Sequence, residues 1–149
     1  MANIAVVILN YNSWQETLEE AQLVNRTCGI NYEDIIIVDN NSPNNSEKEL
    51  RKNAHKGYIF IESGTNKGYA AGNNIGLKYA YEHGYDYAWI LNNDILIDDN
   101  LLLKKMIEVF EKDDFIAVVN PDIYSPDGHM FNSCLLYTSD AADERISVD

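Results

Sequence analysis

Basic side chains are scarce in this chain: 149 residues carry 11 Lys and Arg against 24 Asp and Glu, for a formal net charge of −13. Without a cationic stripe to neutralise phosphates, the sequence argues against nucleic-acid binding, and a bare anionic ligand would be repelled. A phosphorylated ligand would need a divalent cation or a set of backbone amides to offset the protein's own field. The plainer alternative is that the acidity is a solvated surface. Cys28 and Cys134 show neither metal-ligand nor redox spacing, and His55, His83 and His129 have no ligand at helical or hairpin distance, which argues against a zinc site. Long apolar runs are missing too. The aliphatic stretches Ala5 to Leu9 and Ile35 to Val38 fall far short of the roughly 20 residues that cross a bilayer. The N-terminus enters an apolar strand at once, without the parts of a signal peptide, so the expectation is a cytoplasmic chain with no membrane span.

What is present suits one globular domain with a real core, since 46% of the residues are hydrophobic. The last residues read differently. Cys134 to Glu144 resembles the translation of an adapter used to prepare DNA sequencing libraries. The expectation is therefore a native portion over residues 1–133, a non-native tail over 134–149, and a parent protein that continued past Ser133.

Along residues 1–133 strand alternates with helix. Ile4 to Leu9 and Ile35 to Val38 are aliphatic and β-branched, as expected of strands buried on both faces. Tyr58 to Glu62, Tyr87 to Leu91 and Phe115 to Val119 read as three further strands, with Tyr87 to Leu91 a buried one. Ser13 with Glu16, and Ser46 with Glu49, have the form of capping boxes for helices from about Trp14 and from Ser46 to about His55. Ala70 to Glu82 reads as a helix closed by Gly84, and Leu101 to Glu111 as another, with Asp98 and Asp99 opening it. The pattern predicts an α/β fold, three-layer α/β/α, with a mostly parallel five-stranded sheet and right-handed crossovers.

In such a sheet ligands bind at the carboxyl ends of the strands. Those ends read Asn10-Tyr11-Asn12, then Asp39-Asn40-Asn41-Ser42, then Glu62 to Asn74, then Asn92-Asn93-Asp94. Each is rich in Asn, Asp or Gly. Turn chemistry explains any one cluster; four along one edge point to a cleft.

The ordered set Val6-Val7-Ile8-Leu9-Asn10-Tyr11-Asn12, Val38-Asp39-Asn40-Asn41-Ser42, Asn66-Lys67-Gly68-Tyr69-Ala70-Ala71-Gly72-Asn73-Asn74 and Leu91-Asn92-Asn93-Asp94 resembles the nucleotide-binding half of family 2 glycosyltransferases, rhamnosyltransferase-like branch. The likeness covers residues 3–128. It implies the GT-A fold and inverting transfer of a sugar from a nucleoside-diphosphate sugar, UDP- or dTDP-linked, to an acceptor hydroxyl. The acceptor would be a glycan or lipid-linked molecule in cell-surface polysaccharide synthesis, with the parent cytoplasmic or peripheral to the inner membrane.

By the same resemblance Leu9, Asn10, Tyr11 and Asn12 approach the nucleoside. Asp39 would accept a hydrogen bond from a base imide, Asn41 lies beside it, and Asn66, Lys67, Gly68 and Asn74 would reach the ribose and phosphates. Asn92, Asn93 and Asp94 occupy the metal motif, where Asp94 with Asn92 would hold Mg²⁺ or Mn²⁺ as a Lewis acid for the leaving diphosphate. Asn92 stands where the family often has a carboxylate. The general base belongs to the part beyond the central strand, and no residue before Ser133 matches it, so the chain is expected to bind donor rather than catalyse. Pro126-Asp127-Gly128 reads as a turn and His129 as a surface residue.

Two other classes stay open. A nucleotidyltransferase needs a glycine-rich basic loop after its first strand, and residues 10–16 hold neither glycine nor a basic side chain. A non-catalytic α/β binding domain would lack nucleotide affinity.

Overall fold

The computed structural model describes residues 2–132 and 136–138. It divides into two compact units, Met1–Asp99 and Asn100–Asp149.

The first unit is built on four parallel strands: β1 (Ile4–Asn10), β2 (Ile35–Asp39), β3 (Ile59–Glu62) and β4 (Tyr87–Leu91), in the order β3-β2-β1-β4. Helices α1 (Trp14–Cys28), α2 (Ser46–Asn53) and α3 (Tyr69–Glu82) make the crossovers. The chain steps outward from β1 to β2 to β3 and then jumps back past β1 to β4, so right-handed connections put α1 and α2 on one face and α3 on the other. The point where the order reverses, between β1 and β4, is where such sheets open a crevice at their carboxyl edge.

The two central strands are aliphatic because they are covered on both faces. Ala5 to Ile8 and Ile35 to Val38 are fully buried. On one face Ala5, Val7, Ile36 and Val38 pack with Ala80 of α3. Gly72 and Gly76, one helical turn apart, let α3 lie close on β1. A Cβ at Gly76 would stand 2.4 Å from Val7 Cγ1, and one at Gly72 would stand 2.5 Å from Leu9 Cδ1. The helix stops as its sequence predicts. Gly84 takes the left-handed conformation at φ 75°, and its N–H donates to the Tyr81 carbonyl while Tyr85 N–H donates to Ala80.

Several expectations need correction. The parallel sheet has four strands, not five. β5 (Ile116–Val119) instead pairs antiparallel with β8 (Leu136–Thr138) in the second unit. β4 is not a buried strand: among the described residues it has a pairing partner on one side only, and Ala88 and Ile90 are exposed. Neither capping box forms. Ser13 and Asn45 are the N-cap residues of α1 and α2, and neither side chain caps its helix. Ser13 Oγ turns to Tyr11 and Asn93, while Ser46 is buried one residue inside its helix. Asp98 and Asp99 do not open α4 (Leu102–Phe110), whose first turn holds no acid.

The second unit also contains the antiparallel pair β6 (Ile123–Tyr124) and β7 (Met130–Asn132). The expected turn joins them, with Gly128 at φ 86° donating its N–H to Ser125, and His129 is exposed. The proposed foreign tail, residues 134–149, lies outside the described residues except for the short β8.

Candidate donor-binding site

The register of the parallel strands aligns the polar residues that close them. Asn10 lies opposite Asp39, Asp39 opposite Glu62, and Leu91, just before Asn92, opposite Ile8. Parallel strands share one carboxyl edge, so all four polar segments meet on one rim.

Hydrogen bonds close that rim into a ring. Asn10 and Asp39 are buried, and Asn10 Nδ2 donates to Asp39 Oδ1 at 2.7 Å and to Ser42 Oγ at 3.3 Å. Ser42 adds its Oγ to Asp39 Oδ1 at 2.7 Å and its N–H to Oδ2 at 3.0 Å, and it accepts the Asn12 N–H at 2.9 Å. The end of β2 then reaches the glycine loop. Asn40 Nδ2 donates to Asn66 Oδ1 at 3.2 Å and to the Gly68 carbonyl at 3.4 Å, while Gly68 N–H returns to Asn66 Oδ1 at 2.9 Å. Tyr69, the first residue of α3, donates its hydroxyl to Asn92 Oδ1 at 2.7 Å. Asn93 completes the circuit, with Nδ2 donating to Ser13 Oγ at 2.7 Å and to Thr17 Oγ1 at 2.9 Å. Thr17 Oγ1 in turn donates to Asn10 Oδ1 at 2.7 Å.

Two loop residues take left-handed backbone although they are not glycine: Asn12 at φ 62° and Asn41 at φ 56°. Asparagine tolerates this conformation best among such residues, and such conformations gather at functional sites. Asn44 Nδ2 holds the Asn12 carbonyl at 3.0 Å. Tyr11 is 48% exposed beside it, free to lie over a planar ligand.

The expected site residues therefore fall into two groups. Asn10, Asn12, Asp39, Asn66, Gly68, Asn92 and Asn93 belong to the ring. Tyr11, Asn41, Lys67, Asn74 and Asp94 are exposed along it, and Leu9 is half-buried under Gly72. Asp39 is 2% exposed, and among the described residues its Oδ1 accepts two hydrogen bonds while Oδ2 accepts only the Ser42 amide. A base edge would have to meet Oδ2.

The donor set near β4 bears on a metal. Among the described residues no three of His, Cys, Asp and Glu cluster tightly enough to cage a cation. Asp94 is an exposed carboxylate, and Asn92 Oδ1 already accepts from Tyr69. One carboxylate and one shared amide oxygen fit an oxygen-loving divalent ion that takes most of its ligands from a bound diphosphate and water.

Sequence reasoning missed Thr17 and Glu20. Both are on α1, at 0% and 4% exposure. Glu20 Oε1 has no hydrogen-bond partner among the described residues, and burial, then the nearby Asp94 charge, raises its pKa from 4.5 to about 7. The signal was present: Thr17 and Glu20 alternate with Ala21 and Val24 at spacings of three and four, so two polar residues interrupt the buried face of the helix. Farther along α1, burial first, then Glu20 and Asp99, push the Cys28 thiol up, which keeps it protonated and unreactive.

The sequence profile described as Glycosyl transferase family 2 matches residues 5–140, and the chain belongs to that family. It is 26% identical over 128 residues to the low-salt glycan biosynthesis hexosyltransferase Agl10 of Haloferax volcanii, covering 85% of this chain and 38% of that protein. It is 30% identical over 128 residues to the poly-β-1,6-N-acetyl-D-glucosamine synthase of Staphylococcus aureus, covering 83% and 29%. The chain thus spans about a third of the length of these relatives. Among solved structures, it is similar to the mannosyltransferase PcManGT from Pyrobaculum calidifontis in complex with GDP-Man and Mn²⁺, with a TM-score of 0.68 at 16% identity, covering 84% of this chain and 36% of that one. It is also similar to S. aureus TarS 1–349 in complex with UDP-GlcNAc, with a TM-score of 0.58 at 16% identity, covering 85% and 41%. These likenesses show the GT-A fold.

Proposed function

We propose that this chain is the donor-binding half of an inverting glycosyltransferase that moves a sugar from a nucleoside-diphosphate sugar to an acceptor hydroxyl in cell-surface glycan synthesis. The observation that carries the reading is the closed hydrogen-bonded ring at the switch point of the sheet. Its segments form one hydrogen-bonded rim, with the buried Asp39 carboxylate at one end and exposed Asp94 along the other. A nucleoside diphosphate has complementary ends. Its base offers an N–H and its diphosphate needs a cation.

Asp39 is an acceptor only, so it suits a base edge that presents an N–H between carbonyls or beside one, as uracil, thymine and guanine do. Cytosine and adenine lack that donor. The neighbours in complex with UDP-GlcNAc and GDP-Man support this class of base. Tyr11 would cover the ring, and Lys67, Gly68 and Asn74 would face the ribose and phosphates near the N-terminus of α3, where anions are favoured. With Mg²⁺ or Mn²⁺ on Asp94 and Asn92, the ion would neutralise the charge that develops as the diphosphate departs. That help matters in a chain with a net charge of −13. The acceptor site and the general base we assign to the remainder of a longer parent, since the chain covers about a third of its relatives.

Calorimetry with UDP, dTDP, GDP, CDP and ADP, with and without Mn²⁺, tests the reading. We expect binding to at least one of the first three, strengthened by Mn²⁺, and little to the last two. Asp39→Ala should weaken binding with or without metal, whereas Asp94→Ala should abolish only the gain from Mn²⁺. Absence of nucleotide binding would leave a non-catalytic α/β domain as the answer. Variants that behave like the parent would refute the site assignment.

A further inference from the structure

A threonine inside a helix usually turns its hydroxyl back to the carbonyl of the preceding turn or out to water. Thr17 does neither. It is fully buried in the first turns of α1, and its hydroxyl leaves the helix to bridge two strand ends: Asn10 Oδ1 at 2.7 Å and Asn93 Nδ2 at 2.9 Å. The direction of every proton follows from one charge. Asp39 can only accept, so Asn10 must present Nδ2 to it and Oδ1 to Thr17. Thr17 then spends its single proton on Asn10 and can only accept from Asn93. Asn93 is thereby held with its amide nitrogen inward, one residue before Asp94.

We propose that Thr17 is a positioning residue for the donor, tying the metal loop to the nucleoside end so that the two are held at a fixed spacing. The inference rests on the donor-binding reading above. A rigid spacing matters because a nucleoside diphosphate must be gripped at both ends at once, and the two grips reinforce each other only when neither end has to be ordered on binding. Asn93 Nδ2 also donates to Ser13 Oγ at 2.7 Å, but that contact reaches Asp39 only through the backbone of Asn12 and the Ser42 hydroxyl, whereas Thr17 reaches it through the Asn10 side chain alone. The other route round the ring passes through the glycine loop and the exposed Tyr69–Asn92 contact. The base end depends on Thr17 less, because Ser42 anchors Asp39 with both its N–H and its hydroxyl whatever Asn10 does.

Thr17→Val keeps the shape and removes the hydroxyl, and Thr17→Ser restores it. The probe is whichever of UDP, dTDP and GDP the parent chain binds most tightly, titrated with and without Mn²⁺. For Thr17→Val we expect a small loss of metal-free affinity through Asn10, and a clearly larger loss, about fivefold to tenfold, in the affinity gained from Mn²⁺. Thr17→Ser should recover most of that gain. A general loss of structure would instead lower both affinities together. In a double-mutant cycle, Asn93→Ala should reproduce the effect and add little on top of Thr17→Val; it also serves as the test should Thr17→Val fail to fold. An undiminished Mn²⁺ gain in Thr17→Val, a uniform loss with and without metal, or full additivity with Asn93→Ala would each overturn the inference while leaving the donor-binding reading intact. A parent chain that binds none of the three nucleotides would overturn both.

Discussion

Substituting Glu20 by Gln should stabilise the protein, and only above mildly acidic pH. The carboxyl is 4% exposed, has an oxygen without a hydrogen-bond partner among the described residues, and lies near the Asp94 charge. Burial first and Asp94 second raise its pKa from 4.5 to about 7. The folded protein therefore holds this proton more tightly than the unfolded chain does. The stability this contributes is fully present below pH 4.5 and is lost as pH rises towards 7. At about 1.4 kcal/mol per pH unit, that interval amounts to about 3–4 kcal/mol. Glutamine keeps the shape and cannot ionise. Thermal unfolding of parent and Glu20→Gln in the presence of a chelator should give nearly equal Tm values at pH 4.5. By pH 8 the variant should lead by about 7–14 °C. A constant offset at every pH would show that Glu20 carries no buried charge and that the reasoning fails.

Gly76→Ala should destabilise by about 1–3 kcal/mol, because the new Cβ would meet the buried Val7 side chain at 2.4 Å, outweighing the roughly 1 kcal/mol that alanine gains over glycine inside a helix. Urea denaturation measures the sign directly, and a stabilised variant would mean that α3 does not press on β1. Tyr58→Phe removes the hydroxyl that donates to the Leu50 carbonyl at the end of α2, in a setting whose burial raises the phenol to about 12. The loss should be about 1–2 kcal/mol by the same assay, and no loss would mean that water replaces the bond.

Where the sequence was easy to read, one physical cause dominated. The β-branched runs ending at Leu9 and Val38 are buried on both faces, so composition alone marks them as central strands. Gly84 announces the end of α3 because the reversal there needs a left-handed residue. Reading failed where distant partners decided the outcome. The Ser13 hydroxyl, poised locally to cap α1, accepts instead from Asn93, which lies 80 residues away in the chain. Ala88 and Ile90 look like core residues, yet both are exposed on a strand that, among the described residues, has a neighbour on one side only, and sequence does not report which strand ends a sheet. The candidate site divides in the same way. Four polar strand ends on one edge were legible from the alternation of strands and helices, but the bonds among them were not. Thr17, the link between them, resembles an ordinary helical residue until its buried surroundings are known.

The flank of β4 that no described strand pairs has a practical consequence. A half-paired strand presenting Ala88 and Ile90 to water, the latter 40% exposed, is a template onto which another extended segment can dock. Work with the isolated chain will have to contend with adhesion, and dilute samples will report on the monomer more faithfully than concentrated ones.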